Sequence, residues 1–232
     1  MRVSAFWGAR FESYEDCADK LARLLPAIDQ AFGDYEAWLQ NEGGAVDAAP
    51  DVIGRYMDQH VSEVTGDAFD DMGWCANFHR GKPRAFSVLR LRCGASAWIG
   101  NNISLDFPDS LSFDWRSIRS LIMIINEVYK VDYIAGYSLE AVRRRINEDP
   151  PPPHPIVDWM LYLANTIIPA EELPMVHSVE RIGSGTLVIL KKEPINLENP
   201  DDIALVEAVE PVIRRHQPDL ELKPPPRRPR TI

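Results

Sequence analysis

Four carboxylates, Glu63, Asp67, Asp70 and Asp71, fall within the nine residues EVTGDAFDD, with no basic residue among them. Side chains of this kind could hold a cation, act as an acid-base pair, or form a surface for a basic partner. Calcium requires acids at alternate loop positions and a closing glutamate, and the acids after Gly66 do not follow that spacing. Asp70 and Asp71 are adjacent, and neighbours on a strand or helix point in different directions, so they rarely share one proton site. Zinc requires several Cys or His ligands; Cys75 with His79 is a lone close pair without a second half. The serines nearest a nucleophile motif, Ser96 in GASAW and Ser138 in GYSLE, both lack the second glycine. GSGT at 183–186 runs into the apolar stretch LVIL, so a hairpin turn explains it better than a phosphate cradle. No metal or cofactor is expected; general acid-base work by Asp70 and Asp71, and a solvated acidic loop, both stay open at this point.

Charge gives a more specific signal. From Asp34 to Asp71 ten acids face a single base, Arg55, while the rest of the 232 residues carries 25 acids and 24 bases. Nearly all of the net charge of −10 thus sits in one stretch. Such a field repels nucleic acid and anionic lipid and attracts basic proteins or cations. The basic end KPPPRRPR reads as a flexible tail rather than a groove reader. An alternative is that Arg84, Arg90 and Arg92 face the acidic segment and neutralise it within the fold. Three cysteines without CxxC spacing give neither a disulfide framework nor a zinc site. The first residues do not resemble a signal peptide, and the run LIMII is too short to span a bilayer, so the expected location is the cytoplasm with no membrane contact.

The elements that must position these residues follow from local pattern. VSAFWGA reads as a strand. Ser13 caps a helix with Cys17, Leu21, Leu24, Leu25, Ile28 and Phe32 inward, which Pro26 should kink or divide. Pro50 should open a second helix with Val52, Ile53, Tyr56, Met57, His60, Val61 and Val64 on its inner stripe. RAFSVLRLRC alternates, with Leu89, Leu91 and Cys93 on one face and Arg90 and Arg92 on the other, a half-buried antiparallel strand with NNISLDFP as its neighbour. A helix over 115–129, a strand in VDYIAGY and a helix capped by Ser138 with Leu139, Val142 and Ile146 inward come next. The predicted fold class is α+β, an antiparallel sheet packed by helices, with a smaller C-terminal βα lobe formed by DWMLYLA, the hairpin VERIGSGTLVIL and a helix over 201–216. The domain reading is a main lobe over 1–149, a proline-rich linker at 150–155, a C-terminal lobe over 156–222 within one compact domain overall, and a flexible basic tail at 223–232.

In order along the chain, SAFWGARFESYEDCADKLARLL, AFGDYEAW, GWCANFHRGK, LRCGA, NNISLDFP, VDWMLYLA, VERIGSGTLVIL and LENPDDIALVEAVEPVI resemble the blocks of immunity protein family 52 of bacterial polymorphic toxin systems. The resemblance covers Ser4 to Gln217; the proline run before His154 is unusual for the family. It implies a non-enzymatic protein that binds and neutralises an antibacterial toxin made by the same cell. It also implies that the toxin is a type VI secreted effector of restriction-endonuclease fold.

A nuclease cleft is basic because it must hold phosphates, and a carboxylate-rich surface complements it. The expected toxin-binding residues are accordingly Asp47, Asp51, Asp58, Glu63, Asp67, Asp70 and Asp71, with Trp74 as an apolar anchor, although most tryptophans are core residues. Two other readings stay open: a carboxylate-dependent enzyme, and a non-catalytic adaptor docking through its proline spacer or basic tail.

Overall fold

The computed structural model describes residues 1–10, 12–32, 37–40, 44–49, 51–59, 73–82, 85–95, 101–108, 114–146 and 156–216. Among them nine strands form one sheet: β1 Arg2–Trp7, β2 Asp58–Gln59, β3 Trp74–Lys82, β4 Ala85–Cys93, β5 Asn101–Asp106, β6 Tyr133–Tyr137, β7 Met160–Leu163, β8 Ser178–Ile182 and β9 Gly185–Ile189. Their order is β2-β3-β4-β5-β1-β6-β7-β9-β8, and every neighbouring pair is antiparallel. The class is α+β, as the mixed pattern predicts. The strands after residue 155 continue the sheet begun by the N-terminal half.

Alternation of side chains along each strand sorts the sheet into two faces. On the inner face, register lines up Phe78, Leu89, Leu105, Val3, Gly136, Met160 and Ile189 across seven strands. The adjacent row is Ala76, Leu91, Ile103, Ala5, Ile134, Tyr162 and Leu187. All of these residues are buried. Two helices cover this face. α1, Tyr14–Phe32, is capped reciprocally: Ser13 Oγ accepts from Asp16 N and Asp16 Oδ2 from Ser13 N. It buries Cys17, Leu21, Leu24, Leu25 and Ile28 as predicted and rests the half-buried Phe32 on Phe107. Pro26 does not divide it: α1 runs on as one helix with that ring exposed. α2, Trp115–Tyr129, starts at Asp114, whose carboxylate accepts from Arg116 N, and stacks Tyr129 on Trp7 with centroids 4.8 Å apart. Gly136 lies beneath α2, where a Cβ would make ordinary contact with Ile118 at 3.7 Å.

α3, Leu139–Ile146, is capped by Ser138, whose Oγ accepts from Ala141 N, as the sequence predicts. Of its predicted inner face, the half-buried Val142 packs on the core, whereas Leu139 is 44% exposed and Ala141 takes a buried place. Ser138 N is also held by Asp158, which fixes the direction in which this short helix leaves β6. The β8–β9 hairpin turns at Gly183, φ +59°, as expected from GSGT. α4, Pro200–His216, begins where Asn199 Oδ1 accepts from Asp201 N and buries Val206, Val209, Val212 and Ile213.

The helix predicted after Pro50 does not form. Ile53–Tyr56 make one 3-10 turn, after which Asp58 and Gln59 pair with Cys75 and Trp74 as β2. The apolar spacing that suggested a helix instead serves a strap: Ile53 and Met57 enter the core while the backbone satisfies the open edge of β3. His60, Val61 and Val64 lie outside the described residues, as does the proline run.

Candidate functional site

The strap that carries the acidic residues is clamped at its root. Leu39 exchanges both backbone hydrogen bonds with His79 of β3, at 2.7 and 2.9 Å. Beside it Asp29 accepts from the Trp38 indole at 3.1 Å and from the Arg80 guanidinium, which also lies 4.5 Å over the Trp38 ring. Arg80 and Trp38 are buried, so this polar knot ties α1, the strap and β3 together. Further along, Asp47 accepts from Ala49 N at 2.9 Å, while its own N–H donates to the Tyr56 hydroxyl. Gly54 packs directly on Tyr14, where a Cβ would meet the phenol oxygen at 2.4 Å.

Asp47, Asp51 and Asp58 are all exposed on this strap. Glu63, Asp67, Asp70 and Asp71 lie outside the described residues. Trp74 is half-buried at the start of β3 and meets Tyr14 edge-on at 4.8 Å, so part of its ring supports the fold. Asp58 lies on the outer face of the sheet, where register continues its row through Cys75, Arg92, Asn102, Phe6 and Tyr133. Arg92 therefore does share a face with one acid of the strap, two strands away. Arg90 instead pairs with Asp106, which also accepts from Arg2 Nη2 at 2.9 Å. Burial disfavours the Asp106 carboxylate, but the hydrogen bonds from Arg2 and Arg90 outweigh it and hold its pKa below the ordinary value. Arg84 is outside the described residues.

This outer face has two halves. Over β7 and β9 it is covered, with Leu161, Leu163 and Val188 buried. Over β3, β4, β5 and the two ends of β1 it is open: Asn77, Arg90 and Phe6 are exposed, and Arg92, Asn102, Ser104, Arg2 and Asp106 are half-buried, whereas Ser4 in the middle of β1 is buried against the Tyr137 hydroxyl. Sequence reading identified the outward arginines of β4 from their alternation but missed Phe6 and Arg2. Their signal lay in the same period-2 pattern of β1, without any local cue to which strands would flank it.

Other ionisable groups sit inside the protein. Glu12 is buried with Lys20 beside it, and the Cys17 thiol donates toward it at 3.8 Å. Cys17 in turn lies against Cys93, whose thiol is pushed far above its usual range by the hydrogen bond to Cys17 and by burial. Asp202 accepts from Lys191 at 2.9 and 3.0 Å and from Asn196 N at 2.7 Å, locking the start of α4 to the end of β9. Asp158 is 1% exposed, and its pKa is raised to about 6, chiefly by burial. Cys75 and His79, four residues apart along β3, are separated by roughly 13 Å at strand rise. Among the described residues no group of three His, Cys, Asp or Glu is placed to hold a metal ion, and no helix is long and apolar enough to cross a membrane.

By class this is an α+β protein on a single antiparallel sheet whose outer face is half open and charged. Residues 117–217 match the family model described as Immunity protein 52, the family that the sequence blocks resemble. That segment runs from α2 through the end of α4. Among solved structures the chain is similar to a Pseudomonas aeruginosa T6SS protein, with 12% identity and a TM-score of 0.51 over 93% of this chain and 76% of that one. At that identity the likeness is one of fold. No curated protein matches the chain.

Proposed function

We propose that this chain is an immunity protein that binds a cognate antibacterial toxin in the cytoplasm and neutralises it stoichiometrically, without catalysis. The match of residues 117–217 to Immunity protein 52 carries this reading, and the fold shared with a T6SS protein is in keeping with it. The toxin in this reading is a type VI secreted nuclease of restriction-endonuclease fold. Its basic cleft meets the acidic surface of Asp47, Asp51 and Asp58 together with Glu63, Asp67, Asp70 and Asp71, and Trp74 is an apolar contact beside it. Long-range attraction of this kind raises association rates toward ~10⁸ per molar per second, before the toxin has acted.

Capture of the tagged chain from its host's lysate at about 150 and 500 mM salt, a range that shortens the screening length well below its physiological value, tests the reading. The expected result is a stoichiometric toxin whose activity is lost in the complex and whose expression is tolerated only with this chain present. Toxicity undiminished by co-expression would overturn it.

A further inference from the structure

We propose that the open half of the sheet, β3-β4-β5-β1, is the floor on which the toxin seats, and that the toxin brings a carboxylate-bearing segment to it. The proposal rests on the toxin-binding reading and extends it from the acidic strap to the sheet. On this floor three guanidinium groups, Arg2, Arg90 and Arg92, face one carboxylate, Asp106, which already accepts from both Arg2 and Arg90. Arg92 is left over: half-buried on the same face, its guanidinium pairs with no carboxylate among the described residues. A guanidinium without a partner on an open face can take an incoming carboxylate in a charge-assisted pair.

The same row specifies what flanks that carboxylate. Two strands from Arg92, at roughly 10 Å, Phe6 is 37% exposed and stacked on Tyr133 with centroids 4.9 Å apart, an aromatic platform for an apolar side chain. Two strands the other way, Asp58 offers a place for a cation. The partner surface is thus read as cation, carboxylate and apolar group along one line. A second copy of this chain fits poorly, since face-to-face pairing would set arginines against arginines, and the chain's own basic tail KPPPRRPR is repelled by the same charges.

The test uses the toxin recovered with the wild-type chain. Arg92→Glu, Arg92→Gln and Phe6→Ala are compared with Arg23→Glu, an exposed change on α1 on the opposite layer, and thermal melting confirms that each variant is folded. The expected result is binding weakened at least ~30-fold by Arg92→Glu and about tenfold by Arg92→Gln and Phe6→Ala, with Arg23→Glu unchanged. Amide hydrogen exchange on the wild-type complex, which needs no variant to fold, should slow in residues 74–82 and 86–93. Folded Arg92 and Phe6 variants that bind within about threefold of wild type, with protection confined to the helical layer, would overturn the proposal while leaving the immunity reading intact. A wild-type chain that binds no toxin would overturn that reading and this proposal with it.

Discussion

Asp158 carries a pH dependence that can be given a sign. Its Oδ2 accepts from Ser138 N at 2.7 Å, but Oδ1 is buried without a partner among the described residues. Burial, helped by the nearby Asp202 and Glu140 carboxylates and opposed by the hydrogen bonds to Ser138, lifts its pKa from 3.8 to about 6. The folded chain therefore holds this proton more tightly than the unfolded chain, and this contribution to stability is lost as pH rises through the window from about 4 to 6. Asp158→Asn should stabilise the protein by up to ~3 kcal/mol at pH 8, with the gain gone near pH 4. Urea unfolding at the two pH values decides it, and an equal effect at both would contradict the assignment. Asp29→Ala would strip an acceptor from the Trp38 indole and from a guanidinium that is 3% exposed. The expected loss is ~3 kcal/mol, read from the urea midpoint.

Among the elements, those governed by local chemistry were legible and those governed by distant pairing were not. The cap at Ser13, the helix over 115–129, the cap at Ser138 and the glycine turn at 183 all declare themselves within a few residues. Ser13→Ala should accordingly cost about 1 kcal/mol in thermal or urea unfolding, because Asp16 N then loses its acceptor. The segment after Pro50 misled because Ile53 and Met57 have helical spacing, yet the edge of β3 draws Asp58 and Gln59 into the sheet. Nothing near residue 58 announces that edge. Of the candidate site, the acids of the strap and the outward arginines of β4 were readable from charge and alternation. The row joining them to Phe6 was not, because β1 pairs with residues 101–106 and 133–137.

For the whole molecule, the relevant quantity is the field that the acidic strap projects. Reversing Asp47, Asp51 and Asp58 together to lysine should slow association with the toxin about tenfold at low salt, flatten the salt dependence, and change the dissociation rate far less. Stopped-flow binding over a salt series reads all three, and an unchanged on-rate and slope would remove the strap from the interface. Each of the three side chains is exposed, and their only hydrogen bond among the described residues, from Ala49 N to Asp47, is at the surface, so thermal melting should show the variant folded.

The central position of β1 has a consequence in time. The strand made first occupies the middle of the finished sheet and must wait for partners roughly a hundred or more residues later in the chain. At synthesis speeds of about 5–20 residues per second, its apolar residues stay unpaired for about 5–20 seconds. On the proposed immunity reading, an exposed cell would draw its protection from molecules finished earlier, so a standing reserve of folded chain, rather than prompt synthesis, would set the dose of toxin it survives.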